Sequence, residues 1–195
     1  AWRPGLEGLQ AVLKPLLMTA FLLDDFLAEA GFFGARRLLL SSASSKTAFA
    51  TAFCLARRPR AERPAIVGLT SEARVGFVQG LGCFDEALAY GALETLPADE
   101  PAVYVDFAGD AGLRRRVHGH WGDRLGFSSS IGGTHWRELG SGSGLPGPRP
   151  TLFFAPAQAA RRSAPPPEGW GAEAFGQRLA EGWQAFLAAV QRGDE

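Results

Sequence analysis

The 195-residue chain is poor in the residues that mark several common protein classes. Its two cysteines, Cys54 and Cys83, fall within apolar patterns, so we expect buried thiols of a reducing compartment rather than a disulfide framework. No apolar run is long enough to span a membrane, since the run that begins at Phe21 is interrupted by Asp24 and Asp25. A secretory signal pattern is also missing. These absences favour a cytoplasmic protein with no membrane partner.

The chain has no excess charge of either sign, because its 20 basic residues balance its 20 acidic ones. A neutral protein is not an electrostatic trap for nucleic acid or anionic lipid. Aromatic residues are not interleaved with a basic stripe, and the run of arginines at 114–116 is most simply a solvated helix face. We therefore predict no nucleic-acid partner.

Two familiar catalytic motifs are missing as well. The sequence contains no Gly-x-Ser-x-Gly, which marks the nucleophile of many serine hydrolases, and no His-Glu-x-x-His, which binds zinc. His118 and His120 fall in a predicted helix, where side chains two residues apart point in different directions. The sequence therefore predicts no metal site.

Short apolar runs alternate with helical patterns, which is typical of βαβ crossovers and a mostly parallel sheet. We predict an α/β fold, a Rossmann-type doubly wound sheet with helices on both faces. Two helices, 6–13 and 16–28, are expected ahead of the sheet, with Pro15 beginning the second. A closing amphipathic helix is expected over 175–190. The predicted strands are 37–40, 65–69, 86–90, 102–105, one that follows 124, and 151–154.

The first predicted strand ends in a cluster of small and hydroxyl residues, and a helix follows. Such a strand–turn–helix places backbone N–H groups where they can hold a pyrophosphate. The turn lacks the three glycines of the dinucleotide fingerprint, and small residues stand in their place. The simpler alternative is a turn whose serine caps the helix, and the turn alone does not decide between the two. The candidate phosphate-binding residues are Ser42, Ala43, Ser44, Ser45, Lys46 and Thr47, with N–H groups expected to be free at the last three.

A second interpretation of the same turn is a P-loop. Its Lys46 and Thr47 would reach phosphate and magnesium, and Asp106 would supply a further magnesium carboxylate. The P-loop requires glycine where this chain has Leu40 and Ser45. A leucine side chain there would prevent the loop backbone from surrounding the phosphate. This interpretation ranks below the dinucleotide site.

The end of the second predicted strand indicates which dinucleotide would bind. A carboxylate there accepts hydrogen bonds from the adenine ribose, whereas hydroxyls and a guanidinium suit a 2′-phosphate. This chain has Thr70, Ser71 and Arg74, and Tyr90 follows the next strand. These residues favour NADP(H) over NAD(H). The alternative is that Ser71 caps a helix and Arg74 is a solvated surface residue.

Several of these segments together resemble a known group of sequences. Four segments carry the resemblance: 39–48 (Leu-Leu-Ser-Ser-Ala-Ser-Ser-Lys-Thr-Ala), 67–74 (Val-Gly-Leu-Thr-Ser-Glu-Ala-Arg), 80–85 (Gly-Leu-Gly-Cys-Phe-Asp) and 132–136 (Gly-Gly-Thr-His-Trp). The chain resembles an uncharacterised family of unknown function, similar to the quinone-oxidoreductase branch of the medium-chain dehydrogenase/reductases. The resemblance runs from about residue 13 to about residue 186.

The resemblance implies a Rossmann-type domain that binds NADP(H) and needs no zinc. The resemblance also places Gly132, Gly133 and Thr134 near the nicotinamide. His135 is then the preferred group for proton transfer, because imidazole titrates near neutrality. The alternative is that His135 only holds its loop in place.

Independently of the resemblance, residues 106–110 follow a predicted strand and can place their backbone, at Phe107 and Ala108, near the adenosine or the nicotinamide ribose. The alternative is that Asp106 only caps the next helix.

The superfamily has a GroES-like catalytic domain before its Rossmann domain, and we expect that domain to be absent from this chain. The chain begins at Ala1 and its only methionine is Met18, so we expect a preceding segment. We predict a helical lead-in over 1–34, an NADP-binding domain over 35–162, and a Pro-rich connection with a closing helix over 163–195.

The expected function is the cofactor domain of an NADPH-dependent oxidoreductase acting on a small carbonyl, quinone or enone. A non-enzymatic NADP(H)-sensing or scaffolding domain is the second hypothesis, and a P-loop-like phosphotransferase is the third. The expected partner is a small-molecule substrate, and a homodimer through a sheet edge is compatible with the resemblance.

Overall fold

The computed structural model describes residues 7–131 and 144–193, which contain a six-stranded sheet. The strand order is β3-β2-β1-β4-β5-β6 and every pairing is parallel. This is the order of a doubly wound dinucleotide-binding sheet, so the predicted Rossmann-type α/β fold is confirmed. The strands are β1 (Arg37–Leu40), β2 (Ala65–Thr70), β3 (Glu86–Ala89), β4 (Ala102–Asp106), β5 (Leu125–Ile131) and β6 (Thr151–Phe153).

Helices cover both faces of the sheet because successive strand residues point to opposite sides. Leu38 and Leu40 of β1 pack in one apolar cluster with helices α1, α2 and α3, whereas Leu39 packs in another with α4. None of the described helices has the length and apolar character needed to cross a membrane. The helices are α1 (Glu7–Glu29), α2 (Lys46–Ala56), α3 (Val75–Gly80), α4 (Ala111–Trp121), α5 (Ala155–Ser163) and α6 (Ala172–Gly193).

The segment ahead of the sheet is one helix, so the prediction of two helices separated at Pro15 is wrong. Proline removes one backbone donor from a helix, but it does not end the helix where packing holds both halves. Leu13 and Leu17, on either side of Pro15, are both buried against α2 and α6. The hydroxyl of Thr19 also donates to the Pro15 carbonyl (3.2 Å). Tertiary packing therefore overrides the local signal.

The closing helix α6 forms a third layer outside α1 and α2. Trp183, Phe186 and Leu187 are buried on its inner face. The Phe186 ring lies 5.5 Å from that of Phe49 and 5.2 Å from that of Phe53, both on α2. Helix α2 is thus covered on both sides, which fixes the position of its N-terminus at the sheet edge.

Both cysteines are free and buried, as the sequence predicts. Burial raises the pKa of the Cys54 and Cys83 thiols to about 12. Because the thiolate is the reactive form, neither side chain is a nucleophile near neutral pH.

Glycine is required in β2, at Gly68, rather than in the turn that follows β1. A Cβ atom at Gly68 would lie 2.9 Å from the Ala43 Cβ and 2.8 Å from Cδ1 of Phe84. Both distances are shorter than packed carbon atoms allow. The missing side chain lets the turn after β1 lie directly against β2, where the Ala43 N–H donates to the Leu69 carbonyl (3.0 Å).

We predict that Gly68→Ala destabilises the protein by about 1–3 kcal/mol, because the added methyl group overpacks the contact with Ala43 and Phe84. The matched control is Gly119→Ala in α4, where a Cβ would meet nothing within 4 Å. That control should stabilise the helix by about 0.5–1 kcal/mol. Urea unfolding followed by circular dichroism measures both changes, and equal effects of the two substitutions would contradict the packing argument.

Candidate functional site

The candidate site lies at the carboxyl edge of the sheet, between the ends of β1 and β4. The strand order reverses there, since β2 and β3 lie on one side of β1 while β4, β5 and β6 lie on the other. In open α/β sheets, ligands bind in the crevice that forms at such a point. The loop after β1 leads into α2, and the loop after β4 leads into α4.

A buried hydrogen-bond network joins the two strand ends. The Ser41 hydroxyl donates to Oδ1 of Asp106 (2.9 Å) and accepts from the backbone N–H groups of Phe107 (2.8 Å) and Ala108 (3.0 Å). The same Oδ1 accepts from the N–H groups of Ala108 and Gly109, each at 3.0 Å. The loop after β4 is therefore held by side chains of both strands.

The other carboxylate oxygen of Asp106 is held by Arg114. Nε and Nη2 of Arg114 donate to Oδ2 at 3.2 and 2.9 Å, and the two side chains are 4% and 1% exposed. The prediction that Arg114 lies on a solvated helix face is wrong, although its neighbours Arg115 and Arg116 are exposed. Both oxygens of Asp106 are engaged within the protein, which removes the magnesium role of the P-loop hypothesis.

The turn after β1 adopts its shape without glycine. Ser42 has a positive φ of 49°, a conformation that usually favours glycine, and its N–H donates to the hydroxyl of Tyr90 (3.1 Å). The Ser45 N–H donates to the Ser42 carbonyl (2.8 Å), so the expectation of a free N–H at Ser45 is wrong. A tight turn satisfies that donor internally.

Two N–H groups at the start of α2 still face outward from the helix end. Ser45 is the N-cap residue, and its hydroxyl accepts from the Ala48 N–H (3.3 Å). The N–H groups of Lys46 and Thr47 precede the helix's own hydrogen-bond ladder. The helix dipole adds a partial positive charge at this end. The structure thus combines the predicted serine cap with two N–H groups that have no partner within the helix. Ser44 and Lys46 are exposed beside it.

The Tyr90 hydroxyl contacts the turn after β1. It accepts from the Ser42 N–H from the position that follows β3, and the ring packs against the apolar cluster that includes Val67 and Leu69 of β2. Burial raises the pKa of Tyr90, so the hydroxyl stays protonated at neutral pH.

The end of β2 presents the predicted hydroxyl and guanidinium groups at the same sheet edge. Thr70 is buried, whereas Ser71 and Arg74 are exposed. The Ser71 side chain makes no capping bond to the short 3-10 turn that follows it. The Arg74 guanidinium lies 5.7 Å from the Phe77 ring centre, and no ion pair engages it among the described residues. These two polar groups are therefore accessible to a ligand.

A cavity of about 850 Å³ opens beside the start of α2 and reaches the ends of β4, β5 and β6. Its polar lining is Thr19, Ser45 and Thr47, and its apolar lining includes Phe107, Ile131 and Phe153. Every described residue that lines it is uncharged. Its volume falls within the range of small-molecule sites.

The predicted residues that follow β5 lie outside the described part of the chain. These are Gly132, Gly133, Thr134 and the catalytic candidate His135. Strand β5 ends at Ile131, which lines the cavity.

The other two histidines make separate structural contacts. His118 bonds to the Pro146 carbonyl through Nδ1 and to the Ser128 hydroxyl through Nε2, both at 2.9 Å. Burial lowers the pKa of His118, which favours the neutral ring. Nε2 of His120 bonds instead to the Leu96 carbonyl (2.8 Å). Within 7–131 and 144–193, no group of three or more His, Cys, Asp or Glu side chains is placed to hold a metal.

Comparison with known proteins places the sequence in one family. Residues 2–195 match the family described as "Protein of unknown function (DUF2855)". The chain belongs to this family. No curated protein matches it in sequence.

Two solved structures share the fold. The yhdH oxidoreductase of Salmonella enterica, in complex with NADP, is 15% identical with a TM-score of 0.52, covering 92% of this chain and 53% of the other. YHDH of E. coli K-12, with bound NADPH, is 16% identical with a TM-score of 0.50, covering 97% of this chain and 54% of the other. This chain therefore spans about half the length of either protein.

We predict that Asp106→Asn destabilises the protein by about 3–5 kcal/mol, because it leaves the Arg114 guanidinium buried without a counter-charge. The control is Asp110→Asn at the exposed N-cap of α4, where asparagine caps as well as aspartate and the change should stay within about 0.5 kcal/mol. Chemical unfolding of both variants measures the difference. A loss below about 1 kcal/mol for Asp106→Asn would contradict a structural role for the ion pair.

Proposed function

We propose that this chain is the cofactor-binding part of an NADPH-dependent oxidoreductase of quinone-oxidoreductase type. The observation that carries the proposal is the uncharged cavity that opens beside the N-terminus of α2, on the β4–β6 side of the point where the strand order reverses. The free N–H groups of α2, this cavity and the accessible Arg74 guanidinium lie along one sheet edge. The fold shared with two proteins solved with NADP or NADPH bound, one of them an oxidoreductase, supports the same assignment.

In this proposal the start of α2 holds the pyrophosphate. The N–H groups of Lys46 and Thr47 point at the anion, and the hydroxyls of Ser44 and Thr47 add donors. Ser42 and Ala43 shape the turn that leads to this helix end, with their own N–H groups bonded to the Tyr90 hydroxyl and the Leu69 carbonyl. The Lys46 ammonium, which is exposed and has no ion pair among the described residues, adds a positive charge.

The cavity then accommodates the nicotinamide end. When bound there, NADPH supplies a hydride at its ring. Phe107, Ile131 and Phe153 offer apolar faces to a flat ring and exclude water around it. The neutral walls suit an uncharged acceptor, which is why we propose a small carbonyl, quinone or enone as substrate. Ala108 is proposed to contact the ribose through its backbone.

Residues beyond β5 complete the proposal. Gly132, Gly133 and Thr134 would contact the nicotinamide, and His135 would transfer the proton that accompanies the hydride. We further propose that residues 35–162 are the NADP-binding unit, with 1–34 and 163–195 packed on it. The reaction of the whole protein would use a substrate cleft shared with a second, catalytic domain.

A second function is favoured by the internal bonds of the turn. The N–H groups of Ser42 and Ser45 are already satisfied by Tyr90 and by the turn itself. The pyrophosphate therefore has fewer donors than a glycine-rich turn would provide. A domain that binds NADP(H) for sensing or scaffolding, without turnover, is consistent with this weaker cradle.

We predict that the chain binds NADPH more tightly than NADH, because Ser71 and Arg74 can contact the 2′-phosphate. Arg74→Gln should weaken NADPH binding by about tenfold or more and leave NADH binding unchanged, since one charged hydrogen-bond donor is lost. Calorimetric titration with both dinucleotides measures the preference. Arg115→Gln, at an exposed arginine of α4, is the matched control.

The same titrations distinguish the hypotheses. Saturable NADPH binding without reduction of a quinone panel by the full-length protein would favour sensing over catalysis. Magnesium-dependent binding of ATP, with no dinucleotide binding, would refute the proposal and favour the P-loop hypothesis.

A further inference from the structure

A second cavity, of about 670 Å³, lies at the opposite end of α2 from the proposed cofactor site. It is open to solvent and is lined by residues of α1, the C-terminal end of α2, α5 and α6, and by Trp170; Arg57 and Arg178 are exposed at its rim. Helix α2 has 11 residues and is therefore about 16 Å long, which separates the two cavities. We call this space the arginine cavity, because four arginines line it: Arg57, Arg58, Arg162 and Arg178.

Two of these arginines are fully paired with carboxylates of α1. Arg58 donates to both oxygens of Asp24, at 2.7 and 2.9 Å. Arg162 contacts Oδ2 of Asp25 at 2.6 Å and Glu29 at 3.0 Å. Burial raises the pKa of Asp24, and the bidentate Arg58 opposes that rise. These pairs form a rigid and nearly neutral wall.

The other two arginines, Arg57 and Arg178, have no carboxylate partner among the described residues. Each is instead held against an aromatic ring. The Arg178 guanidinium lies 4.2 Å from the ring centre of Trp170, and that of Arg57 lies 5.9 Å from the ring centre of Phe53. Stacking on a ring orients a guanidinium and leaves its N–H donors available.

The two unpaired arginines line the same cavity beside α6. A Cβ at Gly182 would lie 4.0 Å from Nη1 of Arg57, so Arg57 reaches α6 at that residue. Arg178 is four residues earlier on the same helix, one turn or about 6 Å away on the same face. The remaining rim carboxylate, Glu181, accepts a hydrogen bond from Gln177 (3.2 Å).

We propose that the arginine cavity is a binding site for a small dianion, a dicarboxylate or a phosphate monoester. Two unpaired guanidinium groups in one cavity match the two negative charges of such a ligand, and each offers a planar fork of donors. The Trp170 ring holds both Arg162 and Arg178, whose guanidinium groups lie 4.7 and 4.2 Å from its centre. Phe21, which also lines the cavity, provides an apolar contact for the ligand's carbon atoms.

The test is titration of the full chain with malonate and, separately, with inorganic phosphate, followed by calorimetry and by the fluorescence of Trp170. We expect saturable binding of at least one dianion, with one site per chain. Arg57→Gln and Arg178→Gln should each weaken it by about tenfold or more, since each removes a charged donor. Arg115→Gln should leave it unchanged. Arg178→Lys, which keeps the charge but not the fork, should give an intermediate affinity and guards against a folding defect.

The two probes distinguish the ligand classes, because a preference for malonate indicates a dicarboxylate and a preference for phosphate indicates a phosphate monoester. Absence of saturable binding by either probe would overturn the proposal. Binding that survives both glutamine variants and is displaced by NADPH would place the anion at the start of α2, which also overturns it. NADPH affinity should be the same in Arg57→Gln and Arg178→Gln as in the parent, so this site can fail while the proposed function stands.

Discussion

The candidate site depends on the buried ion pair between Asp106 and Arg114. A buried charge is tolerated only when its partners are placed well. Here the Asp106 carboxylate is bonded by the Ser41 hydroxyl and the Arg114 guanidinium. Three backbone N–H groups of the loop after β4 donate to that carboxylate or to the Ser41 hydroxyl. These partners come from β1, from the loop after β4 and from α4. The network is complete only when both strand ends are in register, so it fixes the crevice between them.

The turn after β1 shows how a dinucleotide-type turn can form without its glycines. Ser42 adopts the positive φ itself, and the Tyr90 hydroxyl compensates by accepting its N–H. A glycine is still needed for close packing, but it lies in β2: Gly68 has no side chain, and this leaves room for Ala43 of the turn. As a result, three N–H groups of the turn, those of Ser42, Ala43 and Ser45, are bonded within the protein. The N–H groups of Lys46 and Thr47 are the ones left for the proposed pyrophosphate.

The sheet was predictable from the sequence because strands buried on both faces appear as short apolar runs between helical patterns. The position of the turn between β1 and α2 followed from the same pattern. The burial of Arg114 was not predictable, because three consecutive arginines look alike in the sequence. Nothing in the run indicates that Arg114 faces the end of a strand while its two neighbours are exposed. The continuity of α1 through Pro15 and the contact of Tyr90 with Ser42 depend on tertiary packing, which local rules do not contain. Helix α5 was also missed, since its sequence has few apolar residues and is held by Arg162 and Gln158 contacts to Asp25.

The central claim is that a dinucleotide binds across the crevice between β1 and β4, with its phosphates on the start of α2. The most direct measurement is backbone amide NMR of the isotopically labelled chain during titration with NADPH. The account predicts that the largest shifts occur at Lys46 and Thr47 and in the loop from Phe107 to Gly109, with little change at Arg57 or Arg178. Shifts confined to other parts of the chain, or none at saturating NADPH, would contradict it.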